Sequence, residues 1–270
     1  MSKAEGQHAT HRRGMGGRTR AAARQRRRRM LVVVLGAMAA ASAGVALVAV
    51  AVARSGDERT VGAYKGALAP AVRQRDGSIA MARPGVTGPV LELYEDFQCP
   101  ACLALEERQG GTLKELAAEG RAKVVYRPFQ LFQQEPLMSN SRRAANAAAC
   151  APADRWMRYH DTLYTRQPEE GDVGFTNPQL IKWAGEAGIT GAAFTACVRR
   201  YERIAAVDEA TAHAGRAGVS ATPYLALNGR KVDDDALGSA DALKEAVAKA
   251  AGGAPAPAGR RVTGRASTQR

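Results

Sequence analysis

Two cysteines two residues apart, Cys99-Pro100-Ala101-Cys102, stand where a β-rich run ends and a helix-forming run begins. Val90-Leu91-Glu92-Leu93-Tyr94 follows Pro84 and Gly88 and reads as a strand, and Leu103–Glu119 is rich in helix formers up to Gly120. The pair Gly110-Gly111 predicts a bend or break in that helix. Ala122–Arg127 reads as a second strand, stopped by Pro128. Strand, helix, strand is a βαβ unit with a right-handed crossover, so the chain falls in the α/β class with a thiol pair at a helix N-terminus.

That position matters chemically. Thiol exchange needs a thiolate, and an unperturbed cysteine, with a pKa of about 8.5, supplies little of it at neutral pH. The unpaired N–H groups and partial positive charge of a helix N-terminus stabilise the anion. Cys99 precedes the helix, and Pro100 sits in the first turn, where its missing N–H costs nothing. Cys99 therefore reads as the exposed nucleophile and Cys102, one turn on, as the resolving thiol. A half zinc site is disfavoured because zinc needs four ligands. His160 and His213 are isolated in the sequence, and no second CxxC exists. A purely structural bridge is disfavoured because so small a loop gains little from closure. No metal and no cofactor is predicted.

Upstream lies Met30–Ala53, 24 residues without a charge. As a helix this run spans about 36 Å, against about 30 Å for a hydrocarbon core. Arg26–Arg29 abut its N-terminal end, which predicts a cytoplasmic N-terminus, a single pass and residues 54–270 outside. A cleavable signal peptide is the alternative, with Ala49-Val50-Ala51 and Ala51-Val52-Ala53 as small-residue cleavage sites. The formal charge of +13 belongs to the ends: residues 1–29 hold ten Lys/Arg against one acid, residues 256–270 add four Arg, and the body between balances at 25 against 25. Nucleic-acid binding by the body is not indicated. All four cysteines, Cys99, Cys102, Cys150 and Cys197, lie beyond the apolar run. An even count in an oxidising compartment reads as disulfide chemistry, and the CxxC pairing leaves Cys150 with Cys197 as a structural bridge, the alternative being two free buried thiols.

The organisation is read as a basic cytoplasmic tail at 1–29, an anchor at 30–53 in contact with membrane lipid, a linker at 54–70, one domain at 71–251 and a disordered tail at 252–270. Within the domain, Val72–Met81 is predicted as a hairpin turning at Asp76-Gly77. Arg142–Ala149 and Arg155–Thr165 read as helices, and Asn177 as the N-cap of a third, with Pro178 at its first position. Gly191–Ala214 reads as one long helical stretch. Pro223–Leu227 is a strand, Asn228-Gly229 a type I′ turn, Arg230–Val232 a return strand and Asp241–Ala250 an amphipathic helix. Trp156, Tyr159, Tyr164 and Trp183 read as packing residues.

Tyr94-Glu95-Asp96-Phe97-Gln98-Cys99-Pro100-Ala101-Cys102 resembles the active-site segment of DsbA-like thiol:disulfide oxidoreductases, especially the membrane-anchored ones of high-GC bacteria. Gly218-Val219-Ser220-Ala221-Thr222-Pro223, with Asn228-Gly229-Arg230 after it, resembles that family's cis-proline loop and hairpin, and Val124–Phe129 its second strand. The resemblance covers roughly residues 70–250. It implies a thioredoxin fold with an inserted helical subdomain at about 137–216, preceded here by one transmembrane helix. It implies a cis bond at Thr222-Pro223, with the Thr222 backbone facing Cys99 and open to an extended substrate. It also implies activity on reduced or unfolded exported proteins, and reoxidation by a membrane partner of the DsbB or vitamin K epoxide reductase type. Two positions depart from the family. Ala101 stands where several members have His, and Leu93 stands where many carry a proton-relay acid, leaving Glu95 and Asp96 nearby, each either a relay candidate or a solvated charge at a strand end.

Three functions follow. The leading one is a dithiol oxidase for exported proteins. The second is a reductase or isomerase of the same fold. The third is an anchored, non-enzymatic binding or chaperone module with a structural CxxC.

Overall fold

The computed structural model describes Val61 and residues 64–252. The basic tail, the apolar run, most of the linker and residues 253–270 lie outside the described residues. Among those described, no helix is long and apolar enough to cross a membrane.

Two short strands, β1 (Ala71–Arg73) and β2 (Ile79–Met81), precede β3 (Val90–Glu95), helix α1 (Pro100–Ala118) and β4 (Lys123–Pro128). Five helices follow: α2 (Leu137–Cys150), α3 (Ala153–Thr165), α4 (Asn177–Glu186), α5 (Ala192–Arg199) and α6 (Ile204–Arg216). The chain then closes with β5 (Tyr224–Leu227), β6 (Arg230–Lys231), α7 (Asp234–Leu237) and α8 (Ala240–Gly252). The sheet order is β1-β2-β4-β3-β5-β6. β3 and β4 are parallel, as the βαβ reading requires, and β5 runs antiparallel to β3. The helices α2–α6 form the insertion between β4 and β5.

The parallel register pairs Leu91 with Val124 and Leu93 with Tyr126, so four buried side chains line one face of the central strands. Leu105, Leu113 and Leu116 of α1 join the same core with Leu243 and Val247 of α8. Each such side chain contributes about 1.5–3 kcal/mol when fully buried. That burial explains why α1 does not break at Gly110-Gly111. It runs unbroken to Ala118, because about 1 kcal/mol of glycine cost per residue is outweighed by its buried leucines. A Cβ on Gly110 would collide with the carboxylate of Glu106, so this glycine makes room for a buried acid.

Three local expectations are corrected. The first hairpin turns through Arg75-Asp76-Gly77, because Gln74 N–H reaches Ser78 O at 2.8 Å. Gly77 takes the left-handed position (φ 83°). Asp76 fixes this longer loop by accepting from the Ser78 hydroxyl at 2.6 Å and from Arg127 at 2.7 Å. The N-cap of α4 is Thr176, one residue earlier than read, with Gln179 Oε1 accepting from Thr176 N–H at 2.9 Å. The T-x-x-Q spacing is a capping box and outranks the Asn-Pro signal. The stretch from Gly191 to Ala214 is two helices. Tyr201 (φ 54°) ends α5, with Tyr201 N–H on Val198 O and Glu202 N–H on Cys197 O. This is the Schellman pattern, with tyrosine where glycine is usual.

Candidate active site

β3 delivers the chain to the site, and its continuation Asp96-Phe97-Gln98 turns sharply so that Cys99 N–H bonds Asp96 O at 2.9 Å. Cys99 is the N-cap of α1 (φ −78°, ψ 117°), and Pro100 occupies the first turn. Cys99 O accepts from the N–H groups of Cys102 at 3.1 Å and Leu103 at 3.2 Å. Across from α1, the loop before β5 carries a cis Thr222–Pro223 bond. Thr222 O lies 3.6 Å from Cys99 Sγ. The expected juxtaposition of Cys99, Cys102, Thr222 and Pro223 is therefore what the fold produces.

The two thiols differ electrostatically. The Cys99 pKa is lowered from 9.0 to about 6, first by hydrogen bonding with the Cys102 thiol, then by the Thr222 side chain and the N–H groups of Ala101 and Cys102; burial opposes this. The Cys102 pKa is pushed well above its ordinary value, chiefly by burial, and the hydrogen bond and charge of Cys99 add to it. Cys99, expected to be exposed, is itself buried at 6%, though less deeply than Cys102 at 1%, because the cis-proline loop lies over it.

The helical insertion holds the dithiol segment through side-chain amides. Gln167 Nε2 donates to Phe97 O at 2.8 Å and to Cys99 O at 3.0 Å. Asn140 Nδ2 donates to Gln98 Oε1 at 2.8 Å, and Gln98 Nε2 to Pro168 O at 3.3 Å. Sequence reasoning missed Asn140 and Gln167, because amides on separate helices have no spacing signature.

Glu95 and Asp96 are both fully buried rather than solvated at a strand end, and they face different surroundings. Asp96 remains with the dithiol segment. Its carboxylate accepts from Gln98 N–H at 2.9 Å and Leu131 N–H at 2.7 Å. Burial pushes its pKa up to about 6, those two N–H groups oppose the rise, and the nearby Cys99 charge adds to it. Glu95 points into the interior. Its oxygens lie 3.1 and 3.2 Å from His160 Nε2, and Tyr164 O–H donates to it at 3.2 Å.

Beyond Glu95 lies a buried charged cluster. His160 Nδ1 is 3.2 Å from Asp161 Oδ1, which Lys114 Nζ approaches to 2.9 Å. Lys114 Nζ is also 3.8 Å from Glu106 Oε2. Glu95, Glu106 and His160 each offer a metal-ligating atom, and these atoms lie within 4.8 Å of one another. His160, isolated in the sequence, is thus a neighbour of three acids. The only hint was its place at four-residue spacing between the buried Trp156 and Tyr164. Cys150, at the end of α2, is bonded to Cys197 of α5, with Cα atoms 6.0 Å apart.

A central parallel strand pair, a CxxC at the N-terminus of the following helix and a cis-proline loop before the antiparallel strand together define a thioredoxin-fold thiol–disulfide oxidoreductase. Comparison with known proteins agrees. The chain belongs to the thioredoxin family, whose model, described as "Thioredoxin", matches residues 87–249. Solved structures of DsbA type share the fold and the helical insertion. Reduced DsbA from Mycobacterium tuberculosis is 28% identical, with a TM-score of 0.51, covering 68% of this chain and 100% of that one. Reduced DsbG, a disulfide bond oxidoreductase of the same organism, is 27% identical (TM-score 0.51; 72% and 99% covered). BdbD from Bacillus subtilis shares the fold at 18% identity (TM-score 0.57; 70% and 100% covered). No curated protein matches the chain.

Proposed function

We propose that Cys99 and Cys102 are the redox pair of an extracytoplasmic oxidase that introduces disulfides into reduced or unfolded exported proteins, held at the membrane by Met30–Ala53 with the N-terminus inside. The observation that carries this reading is Cys99 at the N-cap of α1, one turn before Cys102, with Thr222 O of the cis-proline loop 3.6 Å from its Sγ. In the oxidised enzyme a substrate thiolate attacks Cys99 Sγ. The Cys99–Cys102 bond breaks, a Cys99–substrate disulfide forms, and Cys102 leaves with the electron pair and takes a proton. A second substrate thiolate then attacks the substrate sulfur and releases Cys99 as thiolate. The substrate has lost two electrons and the enzyme has gained them. The Cys99 thiolate is a good leaving group because it is already stabilised where it forms. A quinone-linked membrane partner of the DsbB or vitamin K epoxide reductase type then takes the electrons.

Of the two relay candidates, the geometry favours Asp96 for proton exchange with Cys102. It lies beside the dithiol and titrates near neutrality, whereas Glu95 is engaged by His160 and Tyr164. Thr222 O, facing Cys99 Sγ, supplies a backbone acceptor for an extended substrate, and main-chain pairing of that kind tolerates many sequences. A reductase or isomerase of the same fold is the second reading. The structural bridge Cys150–Cys197 braces the insertion.

The test is disulfide transfer. The oxidised full chain, in detergent, is mixed with a reduced unfolded polypeptide. Transfer is expected from wild type and not from Cys99→Ser; reduced Cys102→Ser, offered a disulfide-bonded polypeptide instead, should be trapped as a mixed disulfide when its Cys99 thiolate displaces one substrate thiolate. Absence of transfer and of any trapped species would leave only the binding-module reading. Its potential against glutathione then separates oxidase from reductase or isomerase.

A further inference from the structure

We propose that Glu95, Glu106 and His160 form a buried binding site for a first-row divalent cation, Zn2+ fitting best, in the core beneath the dithiol helix.

Glu106 is where the cluster is incomplete. Its side chain is fully buried, and neither Oε1 nor Oε2 has a hydrogen-bond partner. Lys114, its nearest cation, stands at 3.8 Å, beyond hydrogen-bond reach. An ionised carboxylate without donors is among the costliest groups to bury. The fold nevertheless makes room for it: Gly110 has no side chain where the Glu106 carboxylate lies. One Glu106 oxygen lies within 4.8 Å of a Glu95 oxygen and of a ring nitrogen of His160.

The remaining groups have the arrangement of a metal site. A tetrahedral Zn2+ with bonds of about 2.0–2.1 Å has ligand-to-ligand edges of about 3.3 Å. His160 Nε2 and the Glu95 oxygens are already 3.1 and 3.2 Å apart. The Glu106 carboxylate, within 4.8 Å of these atoms, is the group placed for a third corner. The other ring nitrogen, Nδ1, faces Asp161 at 3.2 Å. A carboxylate behind a histidine fixes the tautomer that leaves Nε2 free to ligate. Asp161 in turn is held by Lys114 at 2.9 Å. Tyr164 O–H orients the Glu95 carboxylate. Tyr126 O–H is also buried without a partner, and its ring lies against that of His160, with centroids 5.2 Å apart.

Charge supports the same conclusion. Asp161 and Lys114 neutralise each other, and a divalent cation neutralises Glu95 and Glu106. Without the cation, three carboxylates face Lys114 and a protonated His160, leaving one unbalanced negative charge in the interior. From that state a divalent cation displaces the one proton on His160 Nε2 and leaves the cluster neutral. The donor set of two carboxylates and an imidazole suits Zn2+ better than Ca2+ or Mg2+, which prefer oxygen alone.

The experiment uses the full chain with Cys99–Cys102 oxidised, so that no thiolate there competes for metal. The protein is unfolded, stripped with chelator and refolded with Zn2+ or Co2+. Bound metal is counted after gel filtration, and melting is followed with and without metal. The expected result is a cation bound in wild type that is missing from Glu106→Gln, tetrahedral Co2+ absorption, and a melting temperature raised by Zn2+ in wild type alone. Asp161→Asn, which leaves all three ligands in place, should weaken binding about 10–100-fold. It also serves if Glu106→Gln does not refold. His213→Gln should change nothing. Equal metal retention by wild type and both variants would overturn the proposal, since terminal histidines would then be the site. So would a wild type that retains no metal, with Glu106→Gln merely more stable than wild type; that result means a proton on Glu106 balances the cluster. None of these readouts depends on thiol exchange, so failure here is distinct from failure of the oxidase reading.

Discussion

The Cys99 thiolate can be tested by titration, because the lowered pKa predicts two opposing effects on reactivity. With a pKa of about 6 rather than 9.0, about nine tenths of Cys99 is ionised at pH 7, against about one hundredth of an ordinary thiol. Its intrinsic nucleophilicity falls as well, by about 20-fold for a Brønsted slope of 0.4–0.5 over that shift. The product makes reduced Cys99 about 20-fold faster than a free thiol toward iodoacetamide at pH 6, only a few-fold faster at pH 7, and about 10-fold slower at pH 9. Its rate should plateau above pH 7 while a model peptide's keeps rising. Stability is linked with the same sign. The folded pKa is depressed, so the contribution is full above the unfolded pKa and disappears as pH falls through about 6. At pH 7 the reduced protein should exceed Cys99→Ser by about 1 kcal/mol, allowing for solvent at the mouth of the site. The assays are stopped-flow alkylation across pH, with mass mapping of the labelled cysteine, and urea unfolding at matched pH values. A midpoint at or above 8, or equal labelling of Cys102, would refute the asymmetry on which the mechanism rests.

Asp96 is destabilising when ionised, because its folded pKa is raised. Asp96→Asn should therefore raise stability by about 1–3 kcal/mol above pH 6, with no effect below pH 4, while slowing thiol exchange; urea melts and exchange kinetics across pH report both. Replacing Cys150 and Cys197 with alanine should cost about 2–4 kcal/mol in urea unfolding, and in wild type this bond should survive reductant that opens Cys99–Cys102, as read by non-reducing peptide mapping. Tyr201→Gly should stabilise by about 1 kcal/mol in thermal melts, because the left-handed position is costly for tyrosine and the residue is 38% exposed. If Met30–Ala53 is an anchor with its basic flank inside, protease added to wall-stripped cells should reach the cysteine domain, and finding that domain soluble after cleavage near Ala53 would overturn the anchor.

The dithiol half of the site was legible because its determinants are local. A strand, a CPxC and a helix share one short span, and proline in the first turn fixes where the helix starts. The cis-proline loop was legible only through family resemblance, since Thr222 and Cys99 are 123 positions apart and nothing in their spacing connects them. Gly110 was misread because propensity treats glycine as a break, whereas here it vacates the space that Glu106 fills. Tyr201 hid a helix end for the opposite reason: the strongest signal of a left-handed cap, glycine, is absent where the backbone still turns.

The interior cluster was invisible for a more general reason. Glu106 and Lys114 are eight positions apart on α1, so the helical repeat places them on one face, with Gly110 between them. On sequence alone they look like an ordinary solvated stripe. They are buried because α1 is covered on that side by α3, which brings His160 and Asp161 opposite them, while β3 supplies Glu95 from below. The same helix thus has two electrostatic tasks. Its N-terminus stabilises the Cys99 thiolate, and about two and four turns further on it carries an acid and a base into the core. These tasks are coupled through Glu95 and Asp96, adjacent residues whose side chains serve the core cluster and the dithiol respectively. A substitution that shifts the backbone at this junction must disturb both sites, whereas Glu106→Gln and Asp96→Asn separate them.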